Sequence, residues 1–123
     1  MDKNFQEILK EKGDAYASGV YRLSRSFPKD ELYGLTSQLR RSALSVVLNC
    51  IEGYARASDG QYRNFLHIAY GSLKESEYLL GFAKRENYVD NEAVYEELLG
   101  LADEIGAILW KTIDGLKDRQ GQS

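Results

Sequence analysis

The amino-acid sequence predicts an all-α protein, an antiparallel up-down-up-down four-helix bundle. Three observations predict it. Apolar residues recur at spacings near three, four and seven along four long segments, the period of one helix face. Pro28 is the only proline in 123 residues, too few for a chain of many β turns. The segments are joined by short connections, so consecutive helices pack as antiparallel neighbours. No repeat and no linker divides the chain, so residues 1–123 read as a single domain with a frayed tail from about 118.

The first segment runs from about Lys3 to Ser26, with Phe5, Leu9, Tyr16, Val20, Leu23 and Phe27 on one face. Gly13 weakens its middle, since glycine costs roughly 1 kcal/mol against alanine inside a helix. Pro28 ends it by pushing Phe27 out of helical geometry. The second segment is expected to start at Pro28, a residue suited to a first helical turn, and to run to about Arg56. Asp30 and Glu31 then sit near the positive end of its dipole. Ser58-Asp59-Gly60 breaks the pattern, and Ser58 with Gln61 makes a capping box for the third segment, Gly60 to about Arg85. Its apolar face carries Tyr62, Phe65, Leu66, Ala69, Leu73, Leu80 and Ala83. Glu86 to Asn91 is a turn, with Asp90 or Asn91 as the next cap. The fourth segment reaches about Leu116 on Val94, Leu98, Ala102, Ile105, Leu109, Ile113 and Leu116.

Composition narrows the function classes. The 43% hydrophobic and 28% charged residues suit a soluble globular chain. One cysteine, Cys50, and one histidine, His67, exclude an intrachain disulfide and a Cys/His metal cluster. The net charge is −3, unevenly spread: ten Lys/Arg against eight Asp/Glu before residue 64, six against eleven after it. That is not the profile of a bulk nucleic-acid binder. The start, Met1-Asp2-Lys3-Asn4, lacks a signal-peptide apolar run, and no stretch approaches membrane-span length. The expected compartment is the cytoplasm, with no membrane partner.

On a helical wheel the second segment is apolar on two sides. Leu39, Ala43, Val46, Cys50 and Tyr54 form one strip, and Tyr33, Leu44, Val47, Leu48, Ile51 and Ala55 the other. One strip serves the bundle core. The other, with Tyr33, Leu44, Val47 and Ile51, suits contact with a second subunit, because large apolar patches mark association surfaces. Arg40 lies inside that second strip. It either snorkels to an edge or meets a carboxylate, with Glu75 or a neighbouring subunit's acid as candidates. A polar arc between the strips holds Arg41, Ser45, Asn49, Glu52 and Arg56.

The third segment has an outer strip of Arg63, His67, Tyr70, Lys74 and Tyr78, basic residues interleaved with aromatics as single-stranded nucleic acid requires. The outer face of the fourth is acidic, with Glu96, Glu97, Asp103, Glu104 and Asp114, and should repel phosphate. No catalytic constellation is legible. His67 falls on an exposed strip without a partner nucleophile, and Cys50 reads as an inert core thiol. The Glu-x-x-His pattern of helical di-metal sites is absent. Gly53 and Gly71 lie within helices, where they would let neighbours approach closely. The expectation is a non-enzyme with no metal and no cofactor.

Two stretches carry a family resemblance. Leu39-Arg40-Arg41-Ser42-Ala43-Leu44-Ser45-Val46-Val47-Leu48-Asn49-Cys50-Ile51-Glu52-Gly53 resembles L-R-R-A-x-x-S-I-x-x-N-I-A-E-G. Phe65-Leu66-His67-Ile68-Ala69-Tyr70-Gly71-Ser72-Leu73-Lys74-Glu75 resembles F-L-x-I-A-x-G-S-L-x-E. With Tyr21-Arg22-Leu23 and Phe27-Pro28 before them, both look like the four-helix-bundle family of 23S rRNA-intervening-sequence proteins, over about residues 15–115. The resemblance implies a bundle that assembles as a ring, a pentamer. It also implies kinship with the accessory variability determinant of diversity-generating retroelements, a partner of a reverse transcriptase. Arg41, Ser45, Asn49, Glu52 and Arg56 match recurrent motif positions, and Arg41, Glu52 and Arg56 are expected to form a charge network inside the bundle or along the ring interface.

Taken together, the residues and the resemblance predict a homo-oligomeric helical scaffold that presents a surface to a protein or RNA partner. The alternative is direct, weak nucleic-acid binding through Arg41, Arg56, Arg63 and Lys74, with His67 and Tyr70 beside them.

Overall fold

The structure, a computed structural model, describes residues 4–121. Four helices follow one another: α1 (Phe5–Ser24), α2 (Leu35–Tyr54), α3 (Asp59–Arg85) and α4 (Glu92–Gly121), with one 3-10 turn, Lys29–Glu31, before α2. α1 packs on α2 and α4, and α3 packs on α2 and α4, so the four helices close a ring around one core. Contacts between named residues give the directions. Gln6 reaches Cys50 while Arg40 reaches Ser24. Gly53 lies on Phe65 while Ser45 meets Ser72. Tyr70 stacks on Trp110 while Lys84 pairs with Glu92. In each pair one number rises as the other falls, so neighbours run antiparallel.

The ends of the helices follow local chemistry. Asn4 accepts the Glu7 N–H at 2.8 Å, Ser58 accepts that of Gln61 at 3.2 Å, and Asn91 accepts that of Val94 at 3.1 Å. Behind α3, Asn87 adopts φ 62° and the Tyr88 N–H bonds the Ala83 carbonyl at 2.9 Å. This left-handed stop satisfies carbonyls that the helix leaves open. α4 continues to Gly121, beyond the Leu116 where the apolar period stops. Of the tail read as frayed, residues 122 and 123 lie outside the described residues.

The start of the second helix differs from the expectation. It is not Pro28 but Leu35. Pro28 instead precedes the 3-10 turn, and Gly34 at φ −116°, ψ −109° interrupts helical geometry. Tertiary contacts hold this elbow. A Glu31 carboxylate oxygen accepts the Leu35 N–H at 3.3 Å, and its other oxygen accepts the Tyr88 hydroxyl at 3.1 Å. The Tyr88 ring in turn lies 5.9 Å from that of Phe27.

Burial answers which strip of α2 is the core strip. Leu39, Ala43, Val46 and Cys50 are buried, with Leu66, Leu73, Leu80, Leu98, Ile105 and Leu109 among their cluster. Tyr54, placed on the same strip, is exposed and lies edge-on to Tyr62. Phe5, expected on the apolar face of α1, is also largely exposed. At the centre, the Tyr16 hydroxyl and Ser76 Oγ share a hydrogen bond of 2.7 Å across the bundle diagonal. Gly13 has a packing role: a Cβ there would stand 3.0 Å from Val47 Cβ. Gly53 likewise allows close approach, whereas Gly71 meets nothing within 4 Å and has no such role.

Thr36 is a local misfit. It is 2% exposed, and its hydroxyl has no hydrogen-bond partner among the described residues. Burying an unpaired hydroxyl costs about 1–3 kcal/mol. Thr36→Val keeps the shape and removes that cost, so the urea midpoint should rise by the equivalent of about 1 kcal/mol. A lower midpoint would show that the hydroxyl is in fact paired.

Candidate functional site

The second apolar strip of α2 is divided by its neighbours. Val47 is buried against α1 at Gly13, and Leu44 is half-buried. Leu48 and Ile51 remain 55% and 41% exposed. Together these four form the floor of an open groove of about 630 Å³ between α1 and α2. Its other wall is α1, which contributes Glu7, Lys10, Glu11 and Asp14. Apolar floor and acidic rim thus lie side by side. Sequence reasoning did not assign this α1 rim. The signal was present, because Glu7, Glu11 and Asp14 at spacings of four and three fall on one face of a helix.

Tyr33 does not belong to this strip, contrary to the expectation. It lies in the turn before α2, next to Leu32, and is 93% exposed. The wheel placed it on α2 only because that helix was started at Pro28.

Arg40 is also corrected. Its guanidinium does not reach Glu75: Nε donates to Ser24 Oγ at 2.8 Å, and Cζ lies 4.8 Å from the centre of the Tyr21 ring. A hydroxyl and a π face, both on α1, hold the charge.

The expected polar network falls into three parts. Ser45 and Ser72 share a 2.7 Å hydrogen bond between α2 and α3, and Asn49 Nδ2 donates to Ser45 Oγ at 2.9 Å. Glu52 and Arg56 form an exposed pair at 3.7 Å one turn apart, and the Arg56 guanidinium lies over Phe65 at 4.7 Å. Arg41 lies on the rim of a polar groove with Ser45, Ser72 and Glu75. About 16 Å of helix separates Arg41 from Glu52, and Arg56 lies beyond the end of α2 beside Glu52, so no single charge network joins Arg41, Glu52 and Arg56. Such an exposed pair contributes little stability.

Two residues of the basic and aromatic strip of α3, Tyr70 and Lys74, are engaged within the chain. Tyr70 packs at 5.6 Å on Trp110, and Lys74 pairs with Glu77 at 3.2 Å. That hydrogen bond to Glu77 raises the Lys74 pKa. His67 is exposed, and Arg63 is half-buried. A strand of nucleic acid would find one ring already stacked and one lysine already neutralised.

Cys50 is 1% exposed and burial pushes its thiol up to about 12, so at neutral pH it is a protonated thiol shielded from solvent rather than a nucleophile. Among the described residues no group of three His, Cys, Asp or Glu is placed to hold a metal ion, and no helix is long and apolar enough to cross a membrane.

Comparison with known proteins adds three findings. The model of a family described as 23S rRNA-intervening sequence protein matches residues 7–111. No curated protein matches the chain. Among solved structures the chain is similar to the crystal structure of a protein with unknown function from the S23 ribosomal protein family of Bacteroides thetaiotaomicron. The TM-score is 0.80 at 25% identity, over 90% of this chain and 99% of that one.

Proposed function

This chain belongs to the 23S rRNA-intervening sequence protein family, and from that premise we propose that it is a non-enzymatic helical scaffold that works as a ring of identical subunits and presents its outer surface to a protein or RNA partner. One observation carries the reading. The α1–α2 groove leaves Leu48 and Ile51 exposed on a helix whose opposite strip already fills the core. A helix with apolar residues on both sides gains by covering the second one, and burial of a Leu or Ile side chain is worth about 1.5–3 kcal/mol. The family resemblance of the α2 and α3 motifs supports the same reading, and no arrangement of side chains described above supplies a reacting group.

Light scattering at micromolar concentration should return a mass several times the chain mass of 14.0 kDa. A monodisperse species at the single-chain mass would sink the proposal.

A further inference from the structure

We propose that the outer strip of α3, from Arg63 to Lys74, lies with Trp110 over the α1–α2 groove of the next copy. This contact deepens the oligomer reading above and rests on it.

The two surfaces stand on opposite sides of the bundle. α1 and α2 bound the groove, while the strip runs along α3 beside α4. A chain cannot cover its own groove with its own strip, but a second copy can. Two different patches in contact make a heterologous interface, which builds a closed ring when the rotation between copies closes. A ring axis along the bundle leaves the height of every residue unchanged from copy to copy. Residues at one height in the chain are then the ones that meet.

Contacts inside the chain fix those heights. Tyr62 donates to Gln6 at 3.2 Å, so their neighbours Arg63 and Glu7 are level. Ser45 meets Ser72 and Gly53 lies on Phe65, so Leu48, between the first pair and the second, is level with Tyr70 to within about one helical turn. Trp110 stacks on Tyr70 and is itself 51% exposed. The open floor of the groove, Leu48 and Ile51, thus meets Tyr70 and Trp110 of the next copy. Both sides gain by covering apolar surface that the single chain leaves in water.

Charge supports the same register at the Arg63 end. Among the described residues Arg63 forms no ion pair, and its buried Nε has no hydrogen-bond partner. An unmade bond at a buried donor is costly, and Glu7 of the next copy brings a carboxylate to the height of Arg63. At this end the strip side carries Arg63, Lys111 and His67 against Asp114, and the groove side carries Glu7 and Glu11 against Lys10. A basic excess faces an acidic one. At the other end Lys74 is tied to Glu77 and faces Asp103, so it has little left for Asp14. Arg41 and Glu75 line the polar groove of their own chain, and Glu52 pairs with Arg56. The attraction is concentrated where Arg63 and Glu7 meet.

The test uses the full chain with His67→Glu, His67→Lys, Leu48→Asp, and an equimolar mixture of His67→Glu with Leu48→Asp. Mass is measured by light scattering at high micromolar concentration. His67 and Leu48 are exposed on the single chain, and far-ultraviolet circular dichroism should show unchanged helix content in each variant. The wild type should exceed two chains in mass. His67→Glu sets an acid against the acidic rim and should fall to the single-chain mass, whereas His67→Lys should keep the wild-type mass. Leu48→Asp spoils the groove and should also fall to the single-chain mass. The mixture should return to a two-chain mass, since the intact groove of His67→Glu can take the intact strip of Leu48→Asp. His67→Glu at the wild-type mass, His67→Lys falling with it, a mixture that stays at the single-chain mass, or a two-chain wild type would overturn this contact while leaving self-association standing. A single-chain wild type would instead remove self-association itself, and this contact with it.

Discussion

Gly53→Ala should lower the stability of the fold by about 2 kcal/mol, although alanine is the better helix former by about 1 kcal/mol. The added methyl would lie 2.7 Å from Phe65 Cβ, 3.1 Å from Tyr62 Cδ1 and 3.3 Å from the Tyr62 carbonyl oxygen. A Cβ and a carbonyl are fixed to the backbone of α3, so no rotamer change makes room. The helices must part where several contacts depend on their spacing. Tyr62 donates to Gln6 at 3.2 Å and meets Tyr54 edge-on, and Arg56 covers Phe65. Gly100→Ala is the matched control. Nothing lies within 4 Å of a Cβ at that site, so the propensity gain of about 1 kcal/mol should appear intact. Urea midpoints at one protein concentration would compare them, and a shift of the same sign in both variants would contradict the close-approach account.

A second large effect is expected at high pH. Burial pushes the Tyr16 phenol from 10.0 up to about 12, helped by Glu77 and opposed by its hydrogen bond with Ser76. The folded state therefore holds this proton more tightly than the unfolded chain does. Below pH ~10 both states are protonated and the full stability is present. Above it the unfolded chain ionises first, and stability falls until the folded phenol also ionises near 12. A displacement of this size corresponds to about 3 kcal/mol, at roughly 1.4 kcal/mol per unit. Cys50, raised by burial from 9.0 to about 12, acts in the same direction and starts earlier. Tyr62, also raised by burial to about 12, adds to them, and Tyr16→Phe removes one of these groups. At neutral pH it should cost about 1 kcal/mol, the worth of a hydrogen bond whose partner Ser76 still has the Leu73 carbonyl. The urea midpoints of wild type and variant should converge as pH rises from 8 and cross at pH ~11. A gap that stays constant would exclude Tyr16 from the alkaline transition.

Much of this molecule was legible along the chain. Period and punctuation are local, and they were enough to predict four helices, their order, the cap at Ser58, a cap at Asp90 or Asn91 that proved to be Asn91, and most of the buried stripe of α4. The motifs of α2 and α3 were enough to suggest the family that the comparison then showed. The elbow before α2 was not legible. Pro28 and the acids after it favour a helix start by themselves, and the outcome was decided by Gly34 and by Tyr88, a residue 57 positions from the Glu31 it holds. Tyr33 was misplaced for the same reason.

The candidate site shows the same division. A helical wheel assigns each side chain an angle about its own axis, and on α2 it separated two apolar strips and a polar arc, apart from Tyr33 and the residues at the helix end. It does not say which helix stands at each angle. Only the packed bundle decided that Leu39, Ala43, Val46 and Cys50 face the core, that α1 covers Val47 and leaves Leu48 and Ile51 open, and that Arg40 turns to Ser24 and Tyr21. Helix formation depends on residues three and four apart. Burial and charge pairing depend on residues tens of positions away, so the sequence determined the elements and their faces, and the tertiary structure decided which of those faces remained free.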